Sequence, residues 1–110
     1  MNEHYKKGLE PLWLITKDNL DFITGNIIKY IYKYPHKGQK YKDLAKIEDY
    51  CNLLMKYGSK SSVKRANLEH FLEQNRLSPK QEKMLTYLYS YLDTKNKEFI
   101  YSIMEETIGN

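Results

Sequence analysis

The chain has few of the residues on which many specialised protein classes depend. It contains one cysteine, three prolines and five glycines in 110 residues. The lone cysteine, Cys51, excludes an internal disulfide, and no short spacing of cysteine and histidine predicts a zinc site. The longest unbroken apolar run, residues 12–15, is too short to cross a membrane, and residues 1–7 lack the apolar core of a secretion signal. We therefore expect a single domain in a reducing cytoplasm.

Strand patterns and phosphate-binding glycine motifs are also missing. No run alternates apolar and polar residues with β-branched enrichment. Residues 58–61 look like the end of a P-loop, but the first glycine of that motif is absent and no strand is predicted before it. We interpret this segment as a turn between helices. A phosphate group would then be bound by side chains on helices.

Apolar residues recur at helical spacing along most of the chain. This spacing predicts an all-α fold, a compact bundle of about five to six short helices. Pro11 indicates the start of a first helix that runs to about Lys17. Asn19 is the candidate cap of a second helix, which ends before Pro35. The third is expected to end at Gly58.

The remaining helices are predicted in the second half of the chain. Residues 63–72 indicate a fourth helix, and Ser78-Pro79-Lys80-Gln81 combines a cap, a proline at the first position and a reciprocal glutamine for a fifth. The fifth and a sixth form a predicted antiparallel hairpin. We divide the chain into an N-terminal region, residues 1–58, and a C-terminal helical extension, residues 59–110, packed as one domain. Cys51 falls on the apolar face of the third helix, which favours a core residue over a reactive thiol.

The positive charge is concentrated in one half of the chain. The formal net charge is +4, and residues 1–60 hold eleven lysines against seven acids, so the later residues are neutral overall. Such an excess attracts anions but does not choose among nucleotide, nucleic acid and acidic protein. Only Arg65 and Arg76 can make the usual arginine contact to guanine, and neither lies in the basic half, which argues against sequence-specific DNA binding.

The second helix separates an apolar face from a basic one. At 100° per residue, Asn26, Lys29 and Lys33 fall within about 60° of one another. The apolar arc consists of Leu20, Ile23, Ile27, Ile31 and Tyr34. An amide and two ammonium groups held on a rigid helix are suited to an anionic ligand such as a phosphate. The alternative is an ordinary solvated lysine face.

Several short motifs occur in the order typical of a known family. They are His4-Tyr5-Lys6-Lys7-Gly8, Glu10-Pro11, Gly25-Asn26, Lys29-Tyr30, Lys33, His36-Lys37 and Asp43-Leu44. Over about residues 4–57, the chain resembles the small phage-encoded family of nucleotide kinase-like (SaV-like) proteins, related to the deoxynucleoside monophosphate kinase of the T-odd coliphages. The family pattern more often has arginine at position 33, where the lysine of this chain supplies a point charge without a two-pronged fork.

The resemblance implies a nucleotide site built from the matching positions. It implies catalytic roles for His4, Lys29 and Lys33, and substrate binding by Tyr5, Asn26, Tyr30, Lys37 and Asp43. The lysines would neutralise phosphate oxygens, the amide would orient a base or sugar edge, and Tyr30 would stack on the base. His4 would donate a hydrogen bond or carry a proton, with a surface imidazole as the alternative. Asp43 would orient a lysine or a hydroxyl, or instead cap the third helix.

Catalysis and partners are left open by the same residues. A kinase would take its phosphate from a nucleoside triphosphate; the sequence assigns no metal site and no certain cofactor. The alternative is a non-catalytic phage accessory protein that sequesters a nucleotide signal or inhibits a host defence protein, and a basic DNA-binding module ranks third. The chain has eleven tyrosines, with three closely spaced on the second helix and three on the fifth. They favour a homo-oligomer, and stacking on a base or an ordinary surface position are the other possibilities. His36 and His70 are interpreted as structural or solvated.

Overall fold

Six α-helices account for the regular structure. The computed structural model describes residues 8–36 and 38–109, and within them it contains no strand. The helices are α1 (Pro11–Lys17), α2 (Phe22–Lys33), α3 (Lys40–Tyr57), α4 (Arg65–Gln74), α5 (Pro79–Thr94) and α6 (Glu98–Ile108). The predicted all-α fold is confirmed. No helix of the described part of the chain is long and apolar enough to span a membrane.

The helices bury their apolar faces in one shared core. The pair α2 and α3 pack together, as do α5 and α6, so the predicted C-terminal hairpin is confirmed. The two halves meet where α3 packs on α6, α2 on α5, and α1 on α4. Ile27, Ile31, Ile47, Leu85 and Leu88 have no exposed surface. Burial of this apolar area is the main driving force for the fold.

Local sequence signals mark several helix ends. Pro11 is the first residue of α1, as predicted. Ser78 and Gln81 form a complete capping box at α5, in which Ser78 Oγ accepts from the Gln81 amide at 3.1 Å and the Ser78 amide donates to Gln81 Oε1 at 2.8 Å. Gly58 ends α3 with a φ of 69°, a backbone angle that glycine adopts readily. These ends depend on residues close in sequence, which explains why they were predicted.

The prediction that Asn19 caps α2 is wrong. The cap is Asp21, whose Oδ1 accepts from the Thr24 amide at 2.8 Å, whereas Asn19 lies in a turn with a φ of 49°. The hydroxyls of Ser59 and Ser61 also donate to the Asp21 carboxylate. Partial burial alone would raise the pKa of Asp21, but the hydrogen bonds from Ser59 and Thr24 outweigh it and hold that pKa below its usual value. Hydrogen bonds from Ser59 and Ser61, 38 and 40 positions later in the chain, therefore favour Asp21 as the cap of α2.

The tyrosines of α2 and α5 are more buried than their spacing predicts. Among those at alternate positions, Tyr34, Tyr89 and Tyr91 are buried, and Tyr30, Tyr32 and Tyr87 are half-buried. None of these six is exposed, because they pack against different helices instead of sharing one core face. Tyr41, Tyr57 and Tyr101 are the exposed ones among the described tyrosines. Self-association through tyrosines stays a prediction.

A buried carboxylate joins three helices at one end of the bundle. Asp18, at the end of α1, accepts from the Tyr89 hydroxyl of α5 at 2.5 Å and from the Asn67 amide of α4 at 2.7 Å. The Lys64 amide donates to the same carboxylate at 3.4 Å. Buried charge is tolerated when hydrogen bonds replace its hydration. Asp18 therefore has a structural role.

We expect Cys51 to be unreactive in the folded protein. Its side chain is fully buried in α3, as predicted, and burial, with a smaller effect from the Glu48 charge, raises the pKa of its thiol to about 12. At pH 8 about one thiol in ten thousand would then be ionised. Native protein should therefore not react with a disulfide reagent on a timescale of minutes, whereas protein in denaturing guanidinium chloride should react fully. Rapid stoichiometric labelling of native protein would contradict this placement.

Candidate phosphate-binding face and adjoining cleft

Two lysines of α2 converge on one aromatic ring. The Lys29 and Lys33 ammonium groups lie 5.1 and 5.8 Å from the centre of the Tyr30 ring, within the range of a cation–π contact. Both side chains are exposed, and neither forms an ion pair with another described residue. Both positive charges therefore lie beside the same ring, and no carboxylate of the described residues pairs with either of them. This arrangement agrees with the helical spacing of the sequence.

The Tyr30 ring is held in place by aromatic packing between α2 and α3. It stacks on Tyr50 with ring centres 6.1 Å apart and an interplanar angle of 18°. Phe22 meets the edge of Tyr50 at 6.1 Å. Tyr30 therefore already packs against Tyr50, so a base would have to stack on the part of the Tyr30 ring that Tyr50 leaves open. Its observed roles are packing and contact with the ammonium groups.

Asn26 uses part of its hydrogen-bonding capacity within α2. Its amide nitrogen donates to the Phe22 carbonyl at 2.9 Å, one turn earlier in the helix. The amide oxygen accepts no hydrogen bond from any other described residue. Asn26 thus offers an acceptor to a ligand, and an acceptor suits a base or sugar hydroxyl better than a phosphate.

Asp43 is buried, and its place in α3 excludes one of its two predicted roles. The N-cap of α3 is Gln39, so the prediction that Asp43 caps this helix is wrong; it lies in the fourth helical position. Only 3% of the residue is exposed, and no group within residues 8–36 and 38–109 donates to its Oδ2. A buried carboxylate oxygen without a donor is costly. An orienting role for Asp43 stays a prediction, and His4, Tyr5 and Lys37 lie outside the described residues.

A cleft of about 840 Å³ opens beside the C-terminal end of α2. One wall is the end of α2, and the other is the end of α4 with the connection to α5. Its lining consists of Tyr32, Pro35, His36, Glu73, Gln74, Asn75, Arg76, Leu77, Ser78 and Gln81. This volume lies in the range that small-molecule sites occupy.

Buried amides hold the walls of the cleft together. Gln81 donates to the carbonyls of Ile31 and Tyr32 at 2.9 and 3.2 Å, while its oxygen accepts from the Ser78 amide. It therefore ties the start of α5 to the last turn of α2, whose carbonyls have no partner within their own helix. On the other wall, Asn75 donates to the Phe71 carbonyl at 2.8 Å. The cleft is preformed by these contacts.

Two side chains of the cleft can donate hydrogen bonds to an anion, and the lining carries one arginine and one acid. Arg76 and His36 can donate hydrogen bonds, and Glu73 is the one acid in the described lining. Arg76 forms no ion pair with another described residue, in contrast to Arg65, which contacts Asp93 at 3.3 Å. A free guanidinium offers a planar fork of donors that matches a phosphate or a carboxylate.

The exposed side of α2 that carries Lys29 and Lys33, here called the lysine face, adjoins the cleft. Three positions along a helix turn about 300°, so Lys29 lies about 60° around the axis from Tyr32, which lines the cleft. The sequence proposes Lys29 and Lys33 for the site, which stays a prediction, and does not connect Arg76 with α2, because the two line one cleft only in the folded chain. The one feature of the sequence that distinguishes Arg76 is that arginine is rare in this chain, which has two. His36 was interpreted as structural or solvated; it is exposed and lines the cleft.

The carboxylates that line a smaller depression, of about 400 Å³, have structural roles. It is lined by Asp18, Asn19, Asp21 and residues 60–62. Its two carboxylates already accept the hydrogen bonds that join α1, α4 and α5 and cap α2. Within the described part of the chain, no group of three or more histidine, cysteine, aspartate or glutamate residues is placed to hold a metal ion.

Comparison with known proteins identifies similarity in the N-terminal half only. The sequence model of a family described as a protein of unknown function (DUF3310) matches residues 1–52, just under half of the chain. No curated protein and no solved structure matches. The matched segment contains Lys29, Lys33, His36 and Asp43, but it ends before the opposite wall of the cleft. The chain is thus similar to this family over the segment that carries the lysine face.

Proposed function

We propose that this protein binds a nucleotide and that Lys29 and Lys33 contact its phosphate. The observation that supports this most directly is the pair of ammonium groups beside Tyr30, which no described carboxylate neutralises. Paired ammonium groups without a carboxylate partner attract and hold a phosphate. The adjoining cleft provides space for the rest of the molecule.

Replacing either lysine with alanine should weaken nucleotide binding by about tenfold or more. Each change removes a charge-assisted contact to phosphate, which contributes roughly 1.5–3 kcal/mol. The unfolding temperature should change by no more than about 4 °C, because solvated lysines contribute little to stability. Isothermal titration against the four deoxynucleoside monophosphates and their triphosphates gives the affinities, and thermal unfolding monitored by circular dichroism gives the stability.

Lys56→Ala is the matched control for these variants. Lys56 is also exposed in the basic half, and its ammonium lies 5.3 Å from the Tyr57 ring, so the same charge and the same kind of aromatic contact are removed. Lys56 lies in the last turn of α3. Equal weakening by Lys56→Ala and Lys29→Ala would show a general charge effect and contradict a defined site. Unfolding of Lys29→Ala would contradict its surface placement.

A product assay separates turnover from sequestration. Each deoxynucleoside monophosphate is incubated with a nucleoside triphosphate and magnesium, and diphosphate formation is followed by chromatography. Phosphoryl transfer depends mainly on positioning and charge stabilisation, which the lysines would provide. Diphosphate formation by the unaltered protein that is abolished in Lys29→Ala would establish a kinase. Tight binding without product across several phosphate donors would establish a nucleotide-sequestering protein.

A further inference from the structure

Arg76 is the strongest feature of the molecule that the lysine face does not explain. It lies in the connection between α4 and α5 and lines the same cleft as His36. The segment similar to a known family ends 24 positions earlier, at residue 52, so this residue belongs to the half without a match. Its guanidinium has no carboxylate partner among the described residues.

We infer that Arg76, in the cleft lining, binds a phosphate group of the bound nucleotide through a two-pronged contact. This inference rests on the proposed function, and it adds a second element to the site from the C-terminal half. Lysine supplies a point charge, whereas the guanidinium supplies parallel donors that fix the orientation of a phosphate. The two exposed ammonium groups of α2 supply charge without such parallel donors.

The packing around Arg76 supports a positioning role. Its neighbour Asn75 is buried and donates to the Phe71 carbonyl, and two positions later Ser78 begins the capping box of α5. The backbone on both sides is therefore fixed by hydrogen bonds. The Gln81 amide then ties this segment to α2, which carries Lys29. The backbone segments that carry Arg76 and the two lysines are thus joined by hydrogen bonds.

The two arginines allow a direct spectroscopic test on the full chain. Arginine side chains give separate Nε–Hε signals in a proton–nitrogen correlation spectrum, so this protein should show two, and Arg76→Lys identifies which one is lost. We expect titration with a deoxynucleoside monophosphate to shift the Arg76 signal and leave the Arg65 signal in place. The same deoxynucleoside without its phosphate should move neither signal.

Affinity measurements complete the test. Arg76→Lys should weaken binding of the monophosphate about tenfold, because the charge is kept but the fork is lost, and Arg76→Ala should weaken it further. Arg65→Ala is the matched control, since it removes the other arginine, which is engaged with Asp93 and Ser90. Thermal unfolding of Arg76→Lys should match that of the unaltered protein.

The outcomes separate this inference from the proposed function. A nucleotide that binds through Lys29 and Lys33 while the Arg76 signal and the affinity of Arg76→Lys stay unchanged would overturn the inference and leave the proposed function standing. An Arg76 signal that shifts equally with the phosphate-free nucleoside would also overturn it. If no nucleotide binds the unaltered protein, the proposed function fails, and the inference fails with it.

Discussion

The Tyr89→Phe variant should unfold at a temperature about 8–15 °C below that of the unaltered protein. Tyr89 is fully buried, and its hydroxyl donates to the carboxylate of Asp18, of which 6% is exposed. Removing the hydroxyl leaves this buried charge with fewer donors, a loss of about 2 kcal/mol that corresponds to such a shift in a domain of this size. Thermal and urea unfolding measure it.

The same pair predicts how stability depends on pH. Burial, the hydrogen bond to Asp18 and nearby negative charge raise the pKa of Tyr89 well above its usual value. A group whose pKa is raised by folding stabilises the protein fully below the pKa of the unfolded chain, about 10, and loses that contribution as the pH rises further. The stability difference between the unaltered protein and Tyr89→Phe should therefore shrink by about 1.4 kcal/mol per pH unit above pH 10.

Tyr87→Phe provides the comparison on the same helix. Tyr87 is half-buried in α5, packs against Phe99 at a ring distance of 6.5 Å, and its hydroxyl bonds no other described residue. Its removal should change the free energy of unfolding by less than about 0.5 kcal/mol. Equal effects of Tyr87→Phe and Tyr89→Phe would show that the Asp18 network does not stabilise the fold.

Gly8→Ala should be the second strongly destabilising change. Gly8 has a φ of +121°, and a Cβ added to it would lie 2.1 Å from the Gln74 carbonyl oxygen and 2.6 Å from Asn75 Oδ1. Both the backbone angle and the contact exclude a side chain, so the chain must shift at one wall of the cleft. We expect a loss of about 2–3 kcal/mol in unfolding free energy, measured by urea denaturation, together with weaker nucleotide binding.

Gly38→Ala separates the two causes of this effect. Gly38 also has a positive φ, +62°, but apart from its chain neighbours no described residue has an atom within 4 Å of the Cβ that alanine would add. Only the backbone preference is lost there, at a cost of about 1 kcal/mol. If Gly8→Ala were no more destabilising than Gly38→Ala, the close approach of Gly8 to Gln74 would be contradicted.

Features governed by near neighbours could be predicted from the sequence. The starts of α1 and α5 follow from Pro11 and from the Ser78 capping box, and the exposed position of Lys29 and Lys33 follows from a period of 3.6 residues. Each signal lies within a turn or two of the structure that it specifies. Such signals report local conformation reliably, because few distant contacts compete with them.

Features built by distant residues could not be predicted. Asn19 has the right type for a cap, but Asp21 is favoured by hydroxyls from the connection between α3 and α4. Asp18 has no role in the sequence analysis, because its partner Tyr89 lies 71 positions away. Arg76 and His36 line one cleft only because α5 packs against α2. No periodic pattern encodes these pairings.

If the end of α2 and residues 73–81 form one nucleotide site, a bound nucleotide should change the amide chemical shifts of both segments. The labelled full chain is titrated with each deoxynucleoside monophosphate while the backbone proton–nitrogen correlations are recorded. We predict saturable shifts concentrated at residues 29–36 and 73–81, with the exposed end of α3 near Lys56 unaffected. Absence of shifts with every nucleotide, or saturable shifts confined to other surfaces, would contradict a nucleotide site shared by these two segments.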